Sequence, residues 1–289
     1  MPQNTYIEPS DESVVFAADS ISFKETLACG QTFAFFPDGD GFIGVADGRP
    51  VRVEDGAKTI RCRKEDEAFW RRYFDLGRDY EEILAPYLST DPYLAACVNA
   101  FPGIRVLRQP VWETVCAFIV SANNNQPRIT GICQNLATRL GEEILWEGRT
   151  LHGFPSPQRL AMAGEYALRD AGAGYRASYM FSTAKMVADG FSLDLDDLEY
   201  EAALHHLMML PGVGEKVADC ILLFSSRHTC AFPVDVWIER VLNTHYGLSG
   251  SRSKIKKAAQ ARFGEDCGIL QQYLFHGARS GSISAYYFS

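Results

Sequence analysis

The stretch LMMLPGVGEKVADCILLF, residues 207–224, runs at a helical apolar period to Leu210, turns through Pro-Gly-Val-Gly, and resumes that period near Glu215. Two helices joined by so short a turn fold back on one another, which makes the segment a helical hairpin. Gly212 and Gly214 give the backbone turn conformations closed to other residues. With no bulky side chain in the way, the turn Gly212-Val213-Gly214 and the helix start behind it present N–H groups, an arrangement that binds phosphate. A tight helical hairpin is equally ordinary packing, so the turn alone leaves both readings open.

Lys216 falls in the first turn of the second helix. The positive end of the helix dipole disfavours a cation there, and such a field favours the neutral, nucleophilic form of an amine. A surface lysine tolerated at a helix start is the competing reading. Nineteen residues later, FPVDVWIERV places Asp235 after Pro233 at the start of another helix, where aspartate also serves as an N-cap. Asp219 is the other carboxylate near the lysine. At i+3 from Lys216 it is expected to form a local ion pair.

Outward from the hairpin, the chain divides by period. From Val14 to Cys62, FAADSISFKETL, QTFAFFPDGDGFIGVADGRPVRVE and KTIRCR alternate apolar and polar residues between Gly/Asp turns, the pattern of a twisted antiparallel sheet. From Glu65 onward the period is helical, through EDEAFWRRYFDL, DPYLAACVNAF, VWETVCAFIVSA, PRITGICQNLATRLG, YRASYMFSTAKMVADG and LEYEAALHHLMML to the C-terminal GILQQYLFHGARS. The fold class is therefore α+β: a β-rich domain over residues 1–98, followed by an all-helical domain over residues 99–289. No repeat or low-complexity segment interrupts it.

Composition bounds the function. Of 289 residues, 47% are apolar and 22% charged, which is globular. There is no apolar run long enough to span a membrane and no signal-like N-terminus, so neither membrane insertion nor secretion is expected. The net charge of −8 looks unsuited to nucleic acid. It is unevenly spread, however: residues 1–98 hold 18 acidic against 10 basic side chains, and the remainder is balanced. Within that remainder Arg252, Lys254, Lys256, Lys257 and Arg262 form a basic stretch, read either as a solvated helix face or as a phosphate-facing one. The eight cysteines form no C-x-x-C pair and no zinc or iron–sulfur spacing, so reduced buried thiols and no metal are expected.

Hairpin, lysine and Pro-Val-Asp at this interval resemble the helix–hairpin–helix DNA glycosylase superfamily, and LPGVGEKVADCI…PVDV resembles its 8-oxoguanine branch. CGQTFAF at 29–35, SANNNQPRITG at 121–131, HGFPS at 152–156, GAGYRASY at 172–179 and LFHGA at 274–278 match in order across nearly the whole chain.

That resemblance implies a TBP-like N-terminal sheet and a bifunctional glycosylase/AP lyase acting on double-stranded DNA that contains oxidised guanine, without cofactor and as a monomer. It would work in the bacterial cytoplasm at the nucleoid, or in a eukaryotic nucleus. Lys216 would attack C1′ to give a Schiff base, and Asp235 would steady oxocarbenium charge and handle the amine's proton. A base inside a duplex must be flipped out to be reached. Cys220, four residues from Lys216 on one helix face, and Phe275 would sandwich it, and Gln271 would read its Watson–Crick edge. The Gly30 carbonyl would accept the N7–H that oxidation creates and repel the N7 lone pair of guanine. Asn123, Arg128 and Arg176 would meet the estranged cytosine, with Tyr175 as the wedge beside it.

One position departs from the family pattern. Trp237 stands where a histidine commonly follows the Asp-Val pair, which favours stacking over a phosphate contact there, with Arg240 nearby as a substitute charge. His205 and His206 match nothing catalytic and are read as structural. Two rivals remain. A superfamily member for other damaged or mispaired bases need not have Lys216, and a DNA-binding hairpin module without catalysis needs neither Lys216 nor Asp235.

Overall fold

Short polar side chains start most of the helices. In the computed structural model, which describes residues 12–281, the side chains of Ser22, Asp79, Asp91, Asn125, Ser156, Asp235 and Ser251 each accept an N–H from a first helical turn. Each thereby satisfies a donor the helix cannot use itself.

The chain begins β1 (Ser13–Ala17), α1 (Phe23–Ala28), β2 (Phe35–Asp38), β3 (Gly41–Ala46), β4 (Arg49–Glu54) and β5 (Thr59–Arg63). The strands form one antiparallel sheet in the order β1-β5-β4-β3-β2. Asp47 and Gly48 join β3 to β4 with φ of 50° and 71°, the left-handed pair that suits a two-residue hairpin. α1 corrects the strand reading of FAADSISFKETL. Six residues are too few to show a helical period, but Ser22 followed by Glu25 was a capping signal, and the Ser22 hydroxyl does accept the Glu25 N–H at 3.3 Å. α2 (Glu67–Tyr73) closes the first core, where Phe23, Phe35, Trp70, Tyr73 and Phe74 meet mostly edge to face, Trp70 and Tyr73 at 4.9 Å.

Helices follow: α3 (Tyr80–Leu88), α4 (Pro92–Ala100), α5 (Val111–Ser121) and α6 (Gln126–Leu140). Next comes a hairpin, β6 (Glu143–Trp146) and β7 (Arg149–His152), so the second domain is mostly rather than wholly helical. Its Glu147-Gly148 turn has φ of 49° and 71° but lacks the Asn-Gly or Asp-Gly wording that marks such turns in sequence. The chain ends α7 (Pro157–Leu168), α8 (Arg176–Ala188), α9 (Tyr200–Met208), α10 (Glu215–Ser225), α11 (Val236–Tyr246), α12 (Arg252–Phe263) and α13 (Cys267–Ser280).

The two cores do not part at residue 98. Tyr80, Leu84, Leu94 and Cys97 pack in the second core together with Cys29 and Phe33, whereas Leu107 belongs to the first. α13 ties the two together. His276 meets Glu25 of α1 at 2.9 Å, and within the second core Tyr273 donates to the Ile104 carbonyl at 3.1 Å. None of the eight cysteines is bridged, and all but Cys230 are buried. No helix among the described residues is long and apolar enough to cross a membrane.

Between the sheet and α5–α6 lies a cavity of about 220 Å³ walled by Phe36, Val45, Ala117, Leu151 and Glu113. Burial pushes the Glu113 carboxyl up to about 8, against the pull of the Asp47 N–H that it accepts at 2.8 Å. The folded value lies above the ordinary 4.5, so the native state holds a proton that the unfolded chain releases, and stability falls as pH climbs from 4.5 to 8. Glu113→Gln removes this titration. The melting temperature of the variant relative to the parent is expected to be higher at pH 8.5 than at pH 5, and an equal difference at both pH values would refute the assignment.

Candidate active site

α10 carries chemistry on one face and structure on the other. Lys216 and Cys220, one turn apart, face a cavity that is also lined by Gly30, Asp235, Gln271 and Phe275. These six residues come from the loop after α1, from α10, from the start of α11 and from α13. Phe118, Phe224, Pro233 and Gln272 complete the lining and were not singled out in the sequence. Phe118 and Phe224 stack at 5.4 Å, and the Lys216 amine lies 5.6 Å from the Phe118 ring centroid. In sequence both phenylalanines look like any core position of a helix. Two adjacent glutamines inside the apolar run GILQQYLF were the one available signal for Gln272. The larger cavity beside Glu113 shares no residue with this one.

The surroundings constrain Cys220, Asp235 and Gln271 in different ways. Burial pushes the Cys220 thiol up to about 11 although the nearby Lys216 pulls it down, so it stays a neutral thiol. Asp235 Oδ1 accepts the N–H groups of Trp237 at 3.0 Å and Ile238 at 2.9 Å. That oxygen fixes α11, and Oδ2 has no partner among the described residues. Gln271 donates Nε2 to the Pro233 carbonyl at 3.1 Å, which orients the amide and leaves its buried Oε1 without a partner. Such an acceptor matches the paired N–H donors on a guanine edge.

The Gly30 loop is tied down around a single gap. Three glutamines donate to its carbonyls: Gln126 to Ala28 at 3.1 Å, Gln272 to Cys29 at 3.0 Å and Gln109 to Gln31 at 2.7 Å. The fully buried Gln31 side chain in turn holds Thr26, Arg105 and Leu107. Among the described residues the Gly30 carbonyl accepts no hydrogen bond. Gly30 has φ of 84°, and a Cβ there would stand 2.9 Å from Arg279 Nη1 and 3.5 Å from Phe275, so both conformation and crowding require glycine.

The expected opposite-strand residues gather at the α5–α6 turn and the start of α8. Asn123, at φ 49°, and Arg128 are exposed, with no side-chain partner among the described residues. Tyr175 is 51% exposed and stands against the Arg176 guanidinium at 4.4 Å. Arg176, the third residue that the resemblance sets against the cytosine, also has a structural task. It is buried, and its Nε and Nη2 are committed to the Ala122 and Asn123 carbonyls, the closest at 2.5 Å. Arg176 is therefore first a brace for the asparagine turn.

At the hairpin, Gly212 has φ of 83° and presses on Tyr179, and Thr183 holds the Pro211 carbonyl at 3.0 Å. Val213 is buried and anchors the turn. The N–H groups of Gly212 and Gly214 have no partner among the described residues, and a Cβ at Gly214 would meet open space.

One charge expectation is corrected. Asp219 does not pair with Lys216: it is buried, takes the Tyr200 hydroxyl at 2.6 Å and takes Lys256 at 3.1 Å. The basic stretch is a solvated face apart from Lys256, which points inward; Arg252 and Arg262 are exposed, the first meeting Glu239 at 3.0 Å and the second lying 3.9 Å from Asp91. Lys254 and Lys257 remain exposed. Trp237 is half-exposed beside Asp235, with Arg240 5.4 Å over its ring. His205 and His206 bond the Glu201 and Ser192 carbonyls at 2.6 and 2.8 Å, away from the pocket.

Comparison with known proteins matches two successive regions of the chain, which meet at residues 115 and 116. Residues 13–115 match the family of the 8-oxoguanine DNA glycosylase N-terminal domain, and residues 116–265 match the HhH-GPD superfamily of base excision DNA repair proteins. A probable N-glycosylase/DNA lyase of Methanothermobacter thermautotrophicus is 34% identical over 264 residues, 81% of this chain and 84% of that protein. The structure of MBOgg1 with a low-affinity DNA ligand superposes with a TM-score of 0.87 at 36% identity, covering 94% of this chain and 97% of that one. The Clostridium acetobutylicum 8-oxoguanine glycosylase/lyase, bound to double-stranded DNA with cytosine opposite 8-oxoguanine, gives 0.81 at 33% identity over 91% and 93% of the two chains.

The two oxygens of Asp235 separate by experiment. Asp235→Asn keeps the Oδ1 cap and is expected to melt at the parent temperature. Asp235→Ala removes the cap and is expected to cost about 1 kcal/mol. Equal melting of the alanine variant would contradict the capping role.

Proposed function

The chain belongs to the 8-oxoguanine DNA glycosylases of the HhH-GPD superfamily, and from that premise we propose that the pocket of Lys216, Cys220, Asp235, Gln271, Phe275 and Gly30 excises 8-oxoguanine and cleaves the resulting abasic site. The chain is an N-glycosylase/DNA lyase of base excision repair. The observation that supports this assignment of residues is their convergence. Side chains separated by up to 245 positions line one cavity with complementary unsatisfied groups: an acceptor on Gln271, a carbonyl on Gly30 and an oxygen on Asp235.

The extrahelical base lies between the neutral Cys220 thiol and the Phe275 ring. Gln271 Oε1 accepts from N1–H and the exocyclic amine, and the Gly30 carbonyl accepts N7–H. Normal guanine turns a lone pair toward that carbonyl and loses both the bond and the contact. The Lys216 amine attacks C1′ as the C1′–N9 bond breaks, and the bonding pair leaves with the base. Asp235 Oδ2 steadies the positive charge at C1′ and takes a proton from the attacking nitrogen. Ring opening gives the Schiff base, whose electron demand acidifies C2′. Loss of that proton expels the 3′ phosphate.

Asn123 and Arg128 supply donors to the acceptor edge of cytosine opposite the lesion, with Arg176 holding their turn and Tyr175 filling the gap. The N–H groups of Gly212 and Gly214 take a backbone phosphate, as helix starts do. The protein acts as a monomer, since DNA covers the functional face.

Borohydride trapping on an 8-oxoguanine·cytosine duplex tests the assignment. The parent is expected to form a covalent adduct and Lys216→Gln none. Asp235→Asn is expected to excise roughly a hundredfold more slowly with DNA affinity retained. An adduct surviving in Lys216→Gln, or full turnover in Asp235→Asn, would remove that residue from its role.

A further inference from the structure

Beside the pocket face of α10, on the flank that turns toward α9 and α12, lies a buried polar cluster that does not line the pocket. The Lys256 ammonium, from α12, sits between two carboxylates of α10, Glu215 at 2.5 Å and Asp219 at 3.1 Å. The other oxygen of Asp219 accepts the Tyr200 hydroxyl of α9 at 2.6 Å, and the Lys256 amine lies 5.8 Å from the centroid of that tyrosine ring. Lys256 and Asp219 are almost fully buried. Burial works against the Lys256 ammonium, but Asp219 and Glu215 outweigh it and hold the amine above its ordinary value. Burial pushes the Asp219 carboxyl up to about 6, so it is ionised at neutral pH and needs its partners.

Asp219 is also the carboxylate that helical spacing offers to Lys216, three residues earlier on the same helix. A lysine engaged by that carboxylate would be held as an ammonium, which cannot attack carbon. In this fold both oxygens of Asp219 are taken from that flank, by Lys256 and Tyr200. We propose that Lys256 is a positioning residue for Lys216: by occupying Asp219 it denies Lys216 its helical ion-pair partner and leaves the Lys216 amine to the pocket. The charged or titratable groups facing Lys216 are then Cys220 on its own helix and Asp235 at the start of α11. α5 and α13 present Phe118, Gln271, Gln272 and Phe275, none of which titrates. This rests on Lys216 being the nucleophile, and the test separates the two claims.

The readout is the pH dependence of borohydride trapping on a preformed abasic duplex, alongside DNA affinity. In Lys256→Met, Asp219 loses its cation and captures Lys216. The acidic limb of the profile is expected to move up by about one pH unit, and trapping at pH 7 to fall roughly tenfold, with DNA affinity within about twofold because no DNA-facing group changes. Lys256→Arg, which keeps the charge, is expected to retain the parent profile. The double variant Lys256→Met/Asp219→Asn has neither the buried lone charge nor the competing carboxylate. It is expected to fold and return to the parent profile even if the single variant does not fold. A double variant as impaired as Lys256→Met, or shifted in its own right, would show that the cluster acts through packing and overturn the proposal. So would an unshifted single variant. Trapping that persists in Lys216→Gln would overturn the nucleophile assignment and this proposal with it.

Discussion

On the proposed reading, one backbone carbonyl must tell the N7–H of 8-oxoguanine from the bare N7 lone pair of guanine, which it can do only if it cannot move away from the wrong base, and the loop around Gly30 meets that constraint. The carbonyls of Ala28, Cys29 and Gln31 are each held by a glutamine from a different part of the chain, Gln126, Gln272 and Gln109. The Gln31 side chain, buried beneath them, binds three further backbone groups. A left-handed glycine in a loop fastened on both sides leaves one acceptor pointing where no described residue satisfies it. Repulsion of a lone pair is then an energetic penalty rather than a small shift of the loop. The loop that carries Gly30 follows α1, and its tethers come from α6, α13 and the segment before α5, so the loop is held where the sheet meets the helices.

α10 shows a second constraint, that one helix must serve two electrostatic environments. Its pocket face carries the Lys216 amine and the Cys220 thiol, and its flank carries Asp219, the acid that on the proposed account would otherwise pair with that amine. Separating them takes a buried cation from α12 and a hydroxyl from α9, at the cost of desolvating both charges. The net acidity of the chain has a related meaning. Three basic side chains, Lys256, Arg176 and Arg105, are buried and so are withdrawn from any contact with phosphate. The candidate phosphate contact at the hairpin uses backbone N–H groups instead, which add no formal charge.

The sequence made the architecture readable wherever signals were local. The Gly212–Gly214 turn, the Asp235 cap and the four-residue step from Lys216 to Cys220 all appear as written. α1 and the β6–β7 hairpin did not, because a six-residue helix shows no period and Glu-Gly is a weak turn signal. Site residues at motif positions were legible one by one, but their convergence was not, since Gly30 and Phe275 are far apart in the chain. Side-chain commitments were least legible. Spacing paired Asp219 with Lys216, whereas a cation 37 residues further on takes that carboxylate. The resemblance offered Arg176 only as a base contact, and did not show that two of its nitrogens hold carbonyls. Periodicity says which side of a helix a residue is on, but not which partner from another helix arrives there first.

The central claim, that the Gly30 carbonyl reads the lesion, meets its most direct test in Gly30→Ala under single-turnover conditions. Two rates decide it: excision of 8-oxoguanine opposite cytosine, and cleavage of a preformed abasic site in the same duplex. A methyl group at φ 84° beside Arg279 and Phe275 must displace the carbonyl while leaving Lys216 and Asp235 in place. Excision is expected to fall by at least about tenfold, the loss of one hydrogen bond to the lesion, with abasic-site cleavage unchanged. Equal losses in both rates, or full excision by the variant, would contradict the account.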